Sequence, residues 1–205
     1  MLDVVFVAHH DGYDSLDLER FFERVGGATL ITAPPAMSLG SALNLGLDAT
    51  AERFVAKFDD DDFYGHGYLL DGLRAHGYAG AGVVGKHSYY TDLLSTGEQY
   101  LRFPGNEFSY SGTLAGGTLI VDRERVGGLR FDDVSLGEDR AFLAACHRRG
   151  VSTFSADRFG FVQRRNTDNT WSVDQLKFLA SCELIDRMHR DHLVDRFDYS
   201  SDYDR

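Results

Sequence analysis

Four consecutive aspartates, Asp59, Asp60, Asp61 and Asp62, follow directly on the apolar run Phe54-Val55-Ala56-Lys57-Phe58. Such a run reads as a buried strand. If the strand continues through the aspartates, its alternation puts Asp59 and Asp61 on one side and Asp60 and Asp62 on the other. Carboxylates about 7 Å apart repel by roughly 2 kcal/mol at an effective dielectric of ~20. Solvent or a bridging cation relieves that repulsion. The run is therefore either a solvated acidic turn or a site for a hard cation such as Mg²⁺, Mn²⁺ or Ca²⁺. It is not an EF-hand loop, because the spaced Asp/Asn ligands, central Gly and closing Glu are absent.

A second acidic pair, Glu138-Asp139, opens a helical pattern that Gly150 closes. A helix N-terminus favours the charged carboxylate, which suits a general base and equally suits ordinary capping. Arg164 and Arg165 are either phosphate contacts or surface arginines. Lys57 and Lys86 stand near strand ends, facing a pocket or forming salt bridges. His9 and His10 have no ligand spacing to other His or Cys and read as structural or turn residues.

The elements that must carry these groups alternate. Residues 3–9, 28–32, 53–58, 81–85, 118–121 and 151–155 read as strands, and residues 16–25, 67–76 and 138–149 as helices. A further helix is capped by Ser38 and buries Leu39, Ala42, Leu43, Gly46 and Leu47, with Asn44 off that stripe. A final long helix starts at Ser172 and aligns Val173, Leu176, Ala180, Leu184 and Met188. Residues 86–110 are aromatic, polar and weakly periodic, as an excursion facing a site is. The pattern predicts an α/β fold on a mostly parallel mixed sheet flanked by helices, with ligands beyond the carboxyl ends of the strands. Residues 1–194 form one domain, and residues 195–205 a polar tail.

Composition narrows the partners. The 205 residues carry Lys+Arg 21 against Asp+Glu 32, a net charge of −11, which argues against nucleic-acid binding through phosphate neutralisation. An anionic substrate then needs local positive charge, for which a metal ion is the natural source. A hydrophobic content of 43% excludes a disordered chain. No apolar run is long enough to span a membrane, and the N-terminus lacks a signal peptide's basic region and cleavage site. Cys146 and Cys182 sit among apolar residues and read as free thiols of a cytoplasmic protein.

The ordered set of motifs resembles a family 2-type glycosyltransferase of the GT-A (Rossmann-type) fold. The segment Ser38-Leu39-Gly40-Ser41-Ala42-Leu43-Asn44-Leu45-Gly46-Leu47 is similar to the family's helix before its acidic motif, with Leu47 departing from the usual small residue. Phe54-Val55-Ala56-Lys57-Phe58-Asp59-Asp60-Asp61-Asp62 resembles the strand ending in D-x-D. Gly116-Gly117-Thr118 and Gly137-Glu138-Asp139 resemble the acceptor-side glycines and the "ED" motif. Phe161-Val162-Gln163-Arg164-Arg165 through Asn169-Thr170-Trp171 resembles the closing basic and aromatic segment.

The resemblance implies inverting sugar transfer from a nucleotide-sugar, a UDP-sugar foremost, to a glycan or other acceptor. It implies Mn²⁺ or Mg²⁺ on Asp61 and Asp59, with Asn169 completing the shell and Asp60 and Asp62 in support. Asp139 is then the first choice of base and Glu138 the second. Asn44, Lys57, Asp59, Asp60, Arg164 and Arg165 contact the donor, and Gly116, Gly117 and Trp171 the acceptor, Trp171 packing in the core being the alternative. The opening strand resembles the family's second one. Either residues 2–9 take the role of the first strand, or a homodimer or partner chain is expected on the exposed sheet edge, with Asp11 and Asp14 toward the base or ribose.

Three competing readings remain. A nucleotidyltransferase calls for a Gly-rich basic loop after the first strand, and His10-Asp11-Gly12-Tyr13-Asp14 is neither. A noncatalytic sugar-nucleotide or carbohydrate-binding module keeps the fold without turnover, against which Asp61 and Asp139 speak. An Asp-led phosphatase lacks its nucleophile loop.

Overall fold

The computed structural model describes residues 2–9, 20, 22–24, 27–165 and 175–186. Strands β1 (Val5–Ala8) and β2 (Thr29–Thr32) pair in parallel. Helix α1 (Leu39–Asp48) follows, then β3 (Phe54–Ala56), β4 (Phe63–Tyr64), α2 (Tyr68–Ala79) and β5 (Val83–Gly85). The excursion expected at residues 86–110 is built of β6 (Tyr89–Leu93), β7 (Glu98–Arg102) and β8 (Ser109–Tyr110). A 3₁₀ turn at Gly116–Thr118 leads into β9 (Ile120–Asp122), and α3 (Arg123–Val126), α4 (Glu138–Arg148), β10 (Thr153–Ser155) and β11 (Phe161–Arg165) complete the central chain.

Two five-stranded mixed sheets result among the described residues. One is ordered β3-β9-β5-β10-β8; the other ends on β12 (Cys182–Asp186) and is ordered β12-β7-β6-β11-β4. The parallel ladders are β5 with β10 and β6 with β11, while the excursion contributes antiparallel ones, β6 with β7 and β8 with β10, and β9 runs antiparallel to both β3 and β5. Val83 and Val84 face opposite ways from β5, as adjacent strand residues must. Val83 joins Leu119, Val121, Phe142, Leu143 and Cys146, with Leu43 and Leu47 of α1 packed against them. Val84 joins Ala75, Ala81, Phe154 and Ala156 on the α2 side. Helices thus cover both faces, and Cys146 and Cys182 are free.

The final long helix does not hold. Residues Gln175–Leu179 are helical (α5), and the chain then turns into β12. Ser181 donates from its amide and its hydroxyl to the Phe178 carbonyl, and its own carbonyl accepts from the Phe103 amide. The free edge of β7 captures the segment in an antiparallel ladder, Cys182 opposite Arg102 and Leu184 opposite Tyr100. Edge pairing outweighs the helical stripe. Val173 and Met188, like the tail, lie outside the described residues.

Helix α1 begins as expected, with the Ser38 hydroxyl accepting from the Ser41 amide at 3.1 Å. Asn44, expected to contact the donor, is engaged elsewhere. Its Nδ2 donates to the Phe131 carbonyl at 2.9 Å, and its Oδ1 accepts from the Phe131 amide at 3.1 Å. Being off the apolar stripe directs it toward the loop before α4. The hydroxyls of Ser38 and Ser41 donate to Asp133 of the same loop, and Gly40 has room for it only because a Cβ would meet the Asp132 carbonyl at 1.9 Å. These ties fix where α4 begins. Asn44→Ala leaves both Phe131 groups without partners and is expected to cost about 1–3 kcal/mol in urea unfolding. A donor ligand alone would leave the unfolding midpoint unmoved.

Candidate active site

The ends of β3, β5 and β10 and the start of β9 lie along one edge of the first sheet, where an open α/β sheet places its ligand crevice. Lys57 follows β3 with its amide bonded to the Leu119 carbonyl at 2.9 Å. Lys86 follows β5, its amide donating to Thr118 Oγ1 at 2.9 Å and its carbonyl accepting from the Ala115 amide at 2.8 Å. The Gly116–Thr118 turn is therefore stitched to β5 from both sides.

The aspartates do not continue the strand. It ends at Ala56, and residues 59–62 turn, with the Asp62 amide approaching the Asp59 carbonyl at 3.4 Å. The expected pairing of Asp59 with Asp61 gives way to Asp59 with Asp62. A Cβ on Gly117 would stand 2.8 Å from Asp59 Oδ2 and 3.0 Å from Asp62 Oδ2, so both oxygens converge on one point over that glycine. Asp60 and Asp61 stay exposed on the turn. Asp62 Oδ1 accepts from the Arg164 amide at 2.9 Å. Burial, reinforced by the charges of Asp59 and Asp61, pushes the Asp62 carboxyl up to about 7.

Gly116 holds the other half of the site. A Cβ there would lie 2.2 Å from Asp139 Oδ2, so the Asp139 carboxylate rests on the bare Cα. Its Oδ1 accepts from the Arg140 amide at 2.6 Å, inside the first turn of α4. One two-glycine turn thus separates Asp139 from the Asp59–Asp62 pair, which explains glycine at both positions by close approach. Glu138 differs from its neighbour: it is 7% exposed, and burial, with the charges of Asp139 and Asp59, raises its carboxyl. The helix dipole favours its ionised form, and burial acts against it.

Tyr64 was not anticipated. Its hydroxyl accepts from the Asp59 amide and donates to the Gly117 carbonyl, both at 2.8 Å, tying the aspartate turn to the glycine turn. Its ring packs on Phe58, Tyr68 and Phe161 at 4.2, 5.1 and 5.3 Å, and burial raises its hydroxyl, which stays protonated. No sequence motif marks such a residue; position just after an acidic turn is the only signal.

The two arginines separate. Arg164 lies over the Phe63 ring at 4.9 Å, beside the aspartate turn. Arg165, expected at the diphosphate, lies 4.4 Å over the Phe178 ring, which Arg102 approaches at 4.5 Å. Alternation along β11 sends the pair to opposite faces, and burial with the Arg102 charge lowers Arg165. Lys86 is neither a surface group nor open to the crevice. It is 5% exposed, and its Nζ donates to the Asp157 carbonyl at 2.8 Å and to Asp157 Oδ1 at 3.2 Å. His10, Asp11, Asp14, Asn169 and Trp171 lie outside the described residues.

Among the described residues no three His, Cys, Asp or Glu side chains converge as a ready-made metal cage. The paired oxygens of Asp59 and Asp62 fit a hard divalent ion that takes one or two carboxylates and completes its shell with phosphate and water. No described helix is long and apolar enough to cross a membrane.

No family model and no curated protein sequence matches the chain. Solved structures do. S. aureus TarS 1-349 aligns at 13% identity with a TM-score of 0.57, over 79% of this chain and 51% of that one. Its complex with UDP-GlcNAc aligns at 15% identity and 0.58, over 87% and 55%, and its complex with UDP at 14% and 0.59, over 80% and 51%. This chain spans about half the length of those TarS chains. At such identity the likeness is one of fold, and the α/β architecture is that of TarS.

Proposed function

We propose that the chain is a metal-dependent, inverting glycosyltransferase of the family 2 type, moving a sugar from a UDP-sugar to a hydroxyl of a glycan. The observation that carries this reading is the two-glycine turn holding the Asp59–Asp62 pair on one residue and the Asp139 carboxylate on the next. The shared fold with S. aureus TarS, whose complexes contain UDP-GlcNAc and UDP, supports it.

Asp59 and Asp62 would hold the divalent ion, Mn²⁺ or Mg²⁺, which when bound neutralises charge on a departing diphosphate. Asp139 takes the proton from the acceptor hydroxyl as its oxygen bonds to the anomeric carbon and the bond from that carbon to the diphosphate breaks. UDP leaves with the electron pair. The Arg140 amide holds one Asp139 oxygen, leaving the other to receive the proton. Tyr64 keeps the two turns in register.

The test is a thermal melt with UDP, GDP or CMP, each with and without Mn²⁺. UDP at about 100 times its dissociation constant should add about 2.7 kcal/mol of stability, and only when Mn²⁺ is present. Equal melts under all six conditions overturn the reading.

A further inference from the structure

We propose that Lys57 is a tethered counter-cation that competes with a divalent metal ion for the Asp59–Asp62 pair, so that metal enters by displacing an ammonium group. The inference rests on the metal-dependent reading above and deepens it. Lys57 is the first residue beyond β3, anchored there by its amide on the Leu119 carbonyl at 2.9 Å. Its side chain is only 10% exposed and pairs with Asp59 Oδ1, while Asp59 Oδ2 faces Gly117 beside Asp62. Its charge also acts on Asp62 and on Glu138, opposing the burial that raises both. The ammonium therefore pairs with Asp59, and its charge reaches Asp62 and Glu138.

On an open surface such a pair is weak and exchanges freely with solvent ions. Here the Lys57 side chain is buried although Asp59 is 35% exposed, so screening is reduced, and the short reach from the β3 end keeps the ammonium at Asp59. A divalent ion must share Asp59 with a like charge or expel it. Removing the ammonium leaves the carboxylates uncompensated and hungry for a cation. A Lys57 that served only as a phosphate ligand would behave otherwise, since its loss would weaken UDP and leave the metal alone unaffected.

The probe is Mn²⁺ alone, titrated by the electron paramagnetic resonance signal of the free ion. Lys57→Met and Lys57→Gln should each bind Mn²⁺ at least about tenfold more tightly than the wild type, and Mn²⁺ should raise their melting temperatures by more than it raises the wild type's. Equal or weaker Mn²⁺ binding in folded variants overturns the proposal, as does the lack of Mn²⁺ binding in variants and wild type alike. A measurement on the unaltered chain covers the case in which the variants misfold. Saturating Mn²⁺ should increase labelling of Lys57 by an amine-reactive reagent several-fold, read by mass spectrometry. Unchanged labelling with Mn²⁺ bound counts against displacement. The UDP melt of the wild type reports separately on the glycosyltransferase reading, so the two can fail independently.

Discussion

Asp139→Asn leaves metal-dependent UDP binding intact and lowers sugar transfer by at least about 10²-fold, the usual scale for removing a general base. The substitution keeps the shape of the side chain over Gly116 and the oxygen that accepts from the Arg140 amide. It removes only the capacity to take a proton. Glu138→Gln is the control that separates the adjacent acids. Glu138 is 7% exposed and raised by burial, so it is poorly placed to reach an acceptor hydroxyl, and its amide variant should retain most of the transfer rate. Initial rates and a UDP titration on both variants decide the matter. If Glu138→Gln alone falls by 10²-fold, the base moves one residue. If the wild type binds UDP and transfers nothing to any acceptor tried, the chain is a binding module, and the Asp139 effect has no rate on which to act.

Physical causes divide what the sequence made legible from what it did not. The Ser38 cap, the apolar stripe on Leu43 and Leu47 and the start of α4 at Glu138 were readable because each depends on local spacing alone. So was the fold class, since strand–helix alternation needs no knowledge of long-range contacts. The aspartate pairing was not. Alternation fails beyond the strand that ends at Ala56, because residues 59–62 turn, and Asp62 rather than Asp61 meets Asp59 over Gly117. The Asn44 contact is hidden for the same kind of reason: a polar residue off the apolar stripe can face a ligand or a loop, and its partner Phe131 lies 87 positions away. Lys86 could not be recognised as buried until Asp157 was brought beside it from the end of β10. In β12, an available sheet edge overrode a helical pattern that was sound in isolation.

The Asp62 carboxyl ties stability and function in opposite directions. Asp62→Asn is expected to stabilise the metal-free protein above neutral pH while abolishing the Mn²⁺-dependent UDP shift. In the folded chain this group titrates at about 7 because burial and the neighbouring Asp59 and Asp61 charges disfavour its anion. Unfolded, it titrates near 3.9, as an ordinary aspartate does. Between those values the folded state holds the extra proton, so stability falls as pH rises from about 4 through 7. The ligand-free wild type should therefore lose melting temperature from pH 5 to pH 8, and the Asn variant should lose less. At pH 8 the variant's advantage should be on the order of 1–3 kcal/mol. The Asn side-chain oxygen can still accept from the Arg164 amide, so the fold contact survives. What the variant lacks is the second anionic oxygen over Gly117, and with it the site for a divalent ion. The Mn²⁺-dependent gain of about 2.7 kcal/mol with saturating UDP should then disappear. Asp61→Ala, on the exposed part of the turn, should keep most of that gain. The reverse outcome, with Asp61→Ala losing the shift and Asp62→Asn retaining it, would return the metal to the pair that strand alternation alone suggests.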